Sequence, residues 1–163
     1  MCSNLGPEKL KAMYQRTGAP IHVSYALSQL LAFYGNENNQ DIAKRIHSWQ
    51  TISSICSYRW GGRRNGIQMP ISFSEASWTG MLNFRTCTWD DDTIQLLATS
   101  TSYEGDISNV LPPLVDYDAT LPFLSKGIPR YNGDGSINPY WEKWPELRTN
   151  ELRFFLGTGD GAA

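Results

Sequence analysis

Three arginines, Arg59, Arg63 and Arg64, crowd into six residues, interleaved with Tyr58 and Trp60 and divided by Gly61-Gly62. Guanidinium groups beside aromatic rings can neutralise phosphate and stack on bases, so the segment is a candidate RNA contact. The competing reading is an arginine-rich edge that pairs with acidic loops of this chain or of a neighbouring subunit. Asp90-Asp91-Asp92 is the densest acidic cluster. Carboxylates can act as acids, bases or metal ligands, but three in succession on a turn between strands point in different directions. Asp is also a turn former, so the cluster reads as a solvated turn.

Asn132-Gly-Asp-Gly-Ser-Ile137 has the look of a calcium loop. Setting Gly135 and Ile137 at the sixth and eighth positions of such a loop puts Arg130 at the first and Trp141 at the twelfth. Both positions should hold carboxylates, so a glycine-rich turn is the better account. His22 and His47 have no Cys or acidic ligands at metal spacing. Cys56 and Cys87 read as small buried apolar residues in strands, where a thiol is protonated and inert. There is no Gly-x-Ser-x-Gly elbow, phosphate loop or dinucleotide fingerprint. Gly157 to Gly161 reads as a tail rather than a phosphate cradle. These residues imply no catalytic group, no metal and no cofactor.

The elements that would position these groups divide at about residue 50. Residues 1–50 read as a helical segment: Pro7 to Arg16, Val23 to Tyr34 and Asp41 to Trp49 carry apolar stripes at helical spacing. Residues 51–163 are rich in Thr, Ser, Ile and aromatics. Candidate strands are Ile52 to Trp60, Gly66 to Ser74, Met81 to Trp89, Thr93 to Tyr103, Tyr117 to Leu124 and Glu151 to Leu156. Long connections follow at Glu104 to Pro113 and Lys126 to Leu147. The expected fold class is mainly β: an antiparallel jelly-roll-like sandwich with an N-terminal helical segment, one domain overall. Gly61 and Gly62 are the expected structural pivot, with at least one at positive φ or against another backbone. Tyr140, Trp141 and Trp144 lie in a turn-rich loop and are the expected subunit interface.

Composition agrees with a protein buried in an assembly. Hydrophobic residues are 40%, charged residues only 18%, and six Trp are present. Interfaces enrich aromatics, although an aromatic-rich core explains the same numbers. Residues 1–70 hold eight Lys/Arg against three Asp/Glu, a balance of +5. The remainder holds six against thirteen, a balance of −7. A basic face toward nucleic acid, or complementary charge between subunits, would produce that asymmetry. No membrane span and no signal peptide are visible.

Tyr58-Arg-Trp-Gly-Gly62 resembles a strand of picorna-like virus capsid proteins, particularly those of insect viruses. Ile42-Ala-Lys-Arg-Ile46 stands where that family has a short basic helix. Ala119-Thr-Leu-Pro-Phe-Leu-Ser-Lys126 is similar to a strand end of the family, Arg130-Tyr-Asn132 to its sequel, and Glu151 to Gly157 to its last jelly-roll strand. The resemblance implies a structural capsid subunit of a small icosahedral RNA virus, not an enzyme, located in the virion and in host cytoplasm during assembly. Its partners would be other capsid subunits and genomic RNA bound without specificity. Two alternatives stand beside it. One is a carbohydrate-binding β-sandwich using Trp141, Trp144 and the loop around Asn132. The other is a small enzyme using the Asp cluster as acids.

Overall fold

A computed structural model describes residues 5–64, 67–101, 103–116, 118–119, 127–149 and 153–158 of the 163. Helix α1 (Pro7–Thr17) starts on a proline, carries Glu8 in its first turn and Arg16 in its last, and ends at Gly18 in the left-handed region. Each choice suits its end: proline lacks the N–H that would be orphaned, and the charges oppose the helix dipole. Helix α2 (Ala26–Tyr34) buries Leu27, Leu30, Leu31 and Tyr34. That stripe was visible in the sequence, and it forms the floor of the main core. Helix α3 is shorter than its stripe suggested, running only over Gln40–Ala43.

The mainly β expectation fails from residue 51 onward. Ile52–Trp60 is helix α4, not a strand, and the Thr51 side chain caps it by accepting from the Ser54 N–H. A Thr cap satisfies one of the four orphan amides at a helix start. The face is inverted as well: Ile52 is 80% exposed while Ser54 is 1% exposed. Ile52 and Ile55 face solvent, so no apolar stripe marks the buried side of this helix. The expected strand Thr93 to Tyr103 is mostly helix α6 (Asp91–Ser100), capped by Asp90 with Asp91 and Asp92 in its first turn. The acidic cluster is a helix start rather than a turn between strands.

Among the described residues, four two-residue strands make two small sheets. β1 (Ile71–Ser72) pairs in parallel with β4 (Leu114–Val115), placing Ile71 opposite Leu114. β2 (Leu82–Asn83) and β3 (Thr88–Trp89) form an antiparallel hairpin. Helix α5 (Phe73–Ser77) follows β1 directly, with Ser72 as its cap. Helix α7 (Pro139–Lys143) follows the Asn132 turn. Helices with small mixed sheets are an α/β arrangement, and no antiparallel sandwich is present among the described residues. Most of the expected strands at Tyr117 to Leu124 and part of that at Glu151 to Leu156 fall outside the described residues.

Three apolar clusters hold the described residues together. The largest joins α1 and α2 to Met81, Leu97, Ile107, Val110 and Leu111, so the core crosses residue 50. A second gathers Met69, Ile128 and Leu156, with Tyr58, Trp60, Tyr140 and Trp144 against them. A third packs Ile71, Ala76 and Leu82 between α5 and the hairpin.

Candidate functional site

A cleft of about 590 Å³ opens between the start of α2, the start of α4, α5 and the β3 side of the hairpin. Three tryptophans line it: Trp49, Trp78 and Trp89. Two are anchored by their indole N–H groups. Trp49 donates to the Tyr34 hydroxyl at 2.7 Å, and Trp89 donates to the Pro112 carbonyl at 2.9 Å. Trp78 stands edge-on to Tyr25, with centroids 6.4 Å apart. Anchored rings offer a preformed apolar wall, which lowers the ordering cost of binding.

The polar lining comes from three segments. Gln50 Nε2 donates to Ser48 Oγ at 2.7 Å and to the Met69 carbonyl at 3.2 Å. Its Oε1 is buried without a partner. Glu75 Oε1 accepts from Ser53 Oγ at 2.6 Å, while Oε2 is buried without a partner. Glu75 is held by its place in α5, where its N–H donates to the Ser72 side chain at 3.1 Å. Thr51 and Thr79 add hydroxyls to the lining. A mostly apolar hollow with a few placed polar groups is the usual form of a small-molecule site.

None of the residues singled out from the sequence lines this cleft. Arg59 ends α4 on the surface, and Arg63 and Arg64 are exposed beyond it. Among the described residues no ion pair joins any of the three to a carboxylate, although Asp134 feels the charge of Arg63. Gly62 has φ +87°, and a Cβ there would lie 2.8 Å from the Tyr131 carbonyl oxygen. Gly61 has an ordinary φ of −72°. The pair packs on the 129–138 segment, where the Gly133 N–H donates to the Gly62 carbonyl at 2.6 Å. Tyr140 and Trp144 stack at 4.9 Å and pack into this chain's own second core; Trp141 lies under the Arg148 guanidinium at 4.9 Å.

Asp90 is 2% exposed and is engaged by Arg16 and Thr93. Burial works to raise its carboxyl, but the Arg16 and Thr93 hydrogen bonds and the Arg16 charge together hold it below the usual carboxylate range. The acid role considered for the Asp cluster is thus overturned at Asp90, which is a cap and an ion-pair partner. Asp134 caps a turn by accepting from the Ser136 hydroxyl and N–H, which lower its carboxyl. Cys87 is exposed in the hairpin turn and Cys56 half-buried in α4, neither in a strand. Among the described residues no three His, Cys, Asp or Glu side chains converge as metal ligands. Sequence reasoning missed Trp49, Gln50, Glu75, Trp78 and Trp89. The available signal was Trp49-Gln50-Thr51, an aromatic and an amide immediately ahead of a helix cap.

The family model for the FGGY family of carbohydrate kinases, N-terminal domain, matches residues 1–124. No curated protein matches the chain in sequence. Among solved structures, gluconate kinase from Lactobacillus acidophilus is 20% identical with a TM-score of 0.63, over 94% of this chain and 25% of that one. Xylulose kinase from the same organism is 20% identical with a TM-score of 0.62, over 94% and 26%. Glycerol kinase from Plasmodium falciparum with ADP is 13% identical with a TM-score of 0.59, over 83% and 24%. Identities this low show the shared fold. The chain spans about a quarter of the length of these kinases.

These matches overturn the capsid reading and everything drawn from it: the jelly roll, the shell partners, the RNA contact, the virion location and the absence of enzymatic function. The stand-alone carbohydrate-binding sandwich and the Asp-cluster enzyme go with it. Short strand-like motifs around Tyr58 to Gly62 suggested that family, but the motif lies on a helix and its turn. The match over residues 1–124 covers most of the sequence, and on that ground the chain belongs to the FGGY family of carbohydrate kinases.

Proposed function

We propose that this chain builds a carbohydrate-holding cleft of an enzyme that transfers phosphoryl groups to a sugar hydroxyl. The observation that carries the reading is the cleft between α2, α4 and α5, with three tryptophans and the Gln50 and Glu75 side chains in its walls. A sugar presents C–H faces that pack on indole rings and hydroxyls that need placed hydrogen-bond partners. Phosphoryl transfer depends mainly on holding acceptor and donor in line, so fixing the acceptor is a substantial part of catalysis. The three solved relatives act on gluconate, xylulose and glycerol by name, which supports a polyhydroxy acceptor here.

The test is tryptophan fluorescence of the chain titrated with xylulose, glycerol and gluconate, alongside release of ADP from ATP. At least one sugar should give a saturable signal. Trp78→Ala, a change at a position 43% exposed, should weaken that binding about fivefold or more without unfolding the chain. The absence of any saturable response across the three ligands would sink the proposal.

A further inference from the structure

We infer that the cleft selects a neutral polyhydroxy ligand, a polyol or ketose, and disfavours sugar acids; this rests on the carbohydrate reading above. Two independent observations carry it. The first is charge. Among the described residues that line the cleft, Glu75 is the one ionisable side chain, and no Lys, Arg or His accompanies it. A ligand carboxylate would enter with no cation to balance it and with a like charge in the wall. In an apolar surrounding that repulsion is weakly screened.

The second observation is the kind of hydrogen bond left open. The Gln50 amide orientation is set by the Met69 carbonyl, which can only accept and so faces Nε2. Oε1 is therefore the unpartnered end. The Glu75 carboxylate spends Oε1 on the Ser53 hydroxyl and leaves Oε2 unpartnered. Both unpartnered oxygens are acceptors sealed from water as the chain stands, so a ligand that meets either one as the side chain turns toward the cleft must bring donors. Hydroxyls donate, whereas an ionised carboxylate only accepts. A sugar acid keeps its hydroxyl donors but turns one end into a group that only accepts, so that end finds no partner at either oxygen and the hydroxyl end must do the binding.

The experiment compares xylitol, xylulose and glycerol with gluconate by calorimetric titration of the wild-type chain and of Glu75→Gln. Wild type should bind the best neutral ligand at least about tenfold more tightly than gluconate. Glu75→Gln, nearly isosteric, should narrow that gap to about threefold, with the far-ultraviolet circular dichroism unchanged. Gluconamide, the uncharged analogue of gluconate, should bind the wild type several-fold more tightly than gluconate, which tests the charge argument even if the variant misfolds; equal binding of the two overturns it. Gluconate binding as well as the best neutral ligand overturns this inference and leaves the carbohydrate reading standing. Silence from all five ligands overturns both.

Discussion

Arg16 Nε lies 2.8 Å from Asp90 Oδ2, tying the last turn of α1 to the cap of α6 across 74 residues. The second arginine nitrogen reaches Asp92 at 2.9 Å. Asp90 also accepts from the Thr93 N–H at 3.1 Å and hydroxyl at 2.7 Å. One carboxylate thus starts a helix and joins two helices of the same core.

Asp90→Ala should therefore remove two effects at once, the cap and the ion pair, and lower stability by about 2–4 kcal/mol. Asp90→Asn keeps capping ability and removes the charge, so it should cost less. Urea midpoints for the two variants measure the difference. Equal losses would mean that the cap contributes nothing.

The depressed Asp90 carboxyl fixes the sign of an acid effect. Its folded pKa lies below its unfolded value, near 3.9 in a model peptide. The stabilisation is complete above that value and drains away as pH falls toward the folded pKa, because the unfolded state takes up the proton first. Wild type should lose stability more steeply than Asp90→Asn below about pH 4. Denaturation midpoints at pH 6, 4 and 3 provide the comparison, and parallel curves would remove Asp90 from the acid transition.

Gly62 and Gly135 separate two reasons for needing glycine. Both have positive φ, +87° and +82°, but a Cβ at Gly62 meets the Tyr131 carbonyl at 2.8 Å and one at Gly135 meets nothing within 4 Å. Gly135→Ala should cost about 1 kcal/mol from backbone strain alone. Gly62→Ala should cost more, about 2 kcal/mol or above, since strain and overlap add. Thermal midpoints of the two variants decide it, and a Gly62 variant no worse than the Gly135 variant would contradict the packing argument.

Asn138 is 0% exposed and joins three segments. Its Nδ2 donates to the Trp60 carbonyl at 2.9 Å and the Pro129 carbonyl at 3.1 Å, while Oδ1 accepts from the Tyr140 N–H at 3.1 Å. Asn138→Asp keeps the acceptor but turns a carboxylate oxygen toward two carbonyls. At pH 7 it should destabilise by at least the roughly 2 kcal/mol expected for Asn138→Ala. An aspartate variant as stable as wild type would show that the two donor bonds do not hold α4 to the 129–138 segment.

The sequence displayed some of this fold and concealed the rest for identifiable reasons. Leu27, Leu30, Leu31 and Tyr34 form a regular stripe, and α2 follows from it. Helix α4 has no such stripe, because it buries Ser54 and Ser57 and turns Ile52 and Ile55 outward. Its residues favour strands, and tertiary packing overrode that preference. The start signals at Thr51 and Asp90 were present, each with a side-chain oxygen that accepts from the N–H three residues on, and were outweighed by β-branched composition. The cleft had no comparable pattern. Gln50 and Glu75 lie 25 positions apart, and only the packing of α5 beside the start of α4 brings them into one wall.

The parallel pairing of Ile71 with Leu114 has a consequence for the order of folding. Its partners are 43 positions apart in the chain, and the intervening residues hold the β2–β3 hairpin and α6. Closing that span from an open coil loses far more chain freedom than closing it once the hairpin and helix have shortened it. We expect the hairpin and α6 to form first and the strand pair to zip last. Since Ile71, Leu111 and Pro112 all border the cleft, the ligand site would be the final part of the molecule to take shape. Pulse-labelled hydrogen exchange should show the Ile71 amide, which donates to the Pro113 carbonyl at 3.0 Å, gaining protection after the amides of α6.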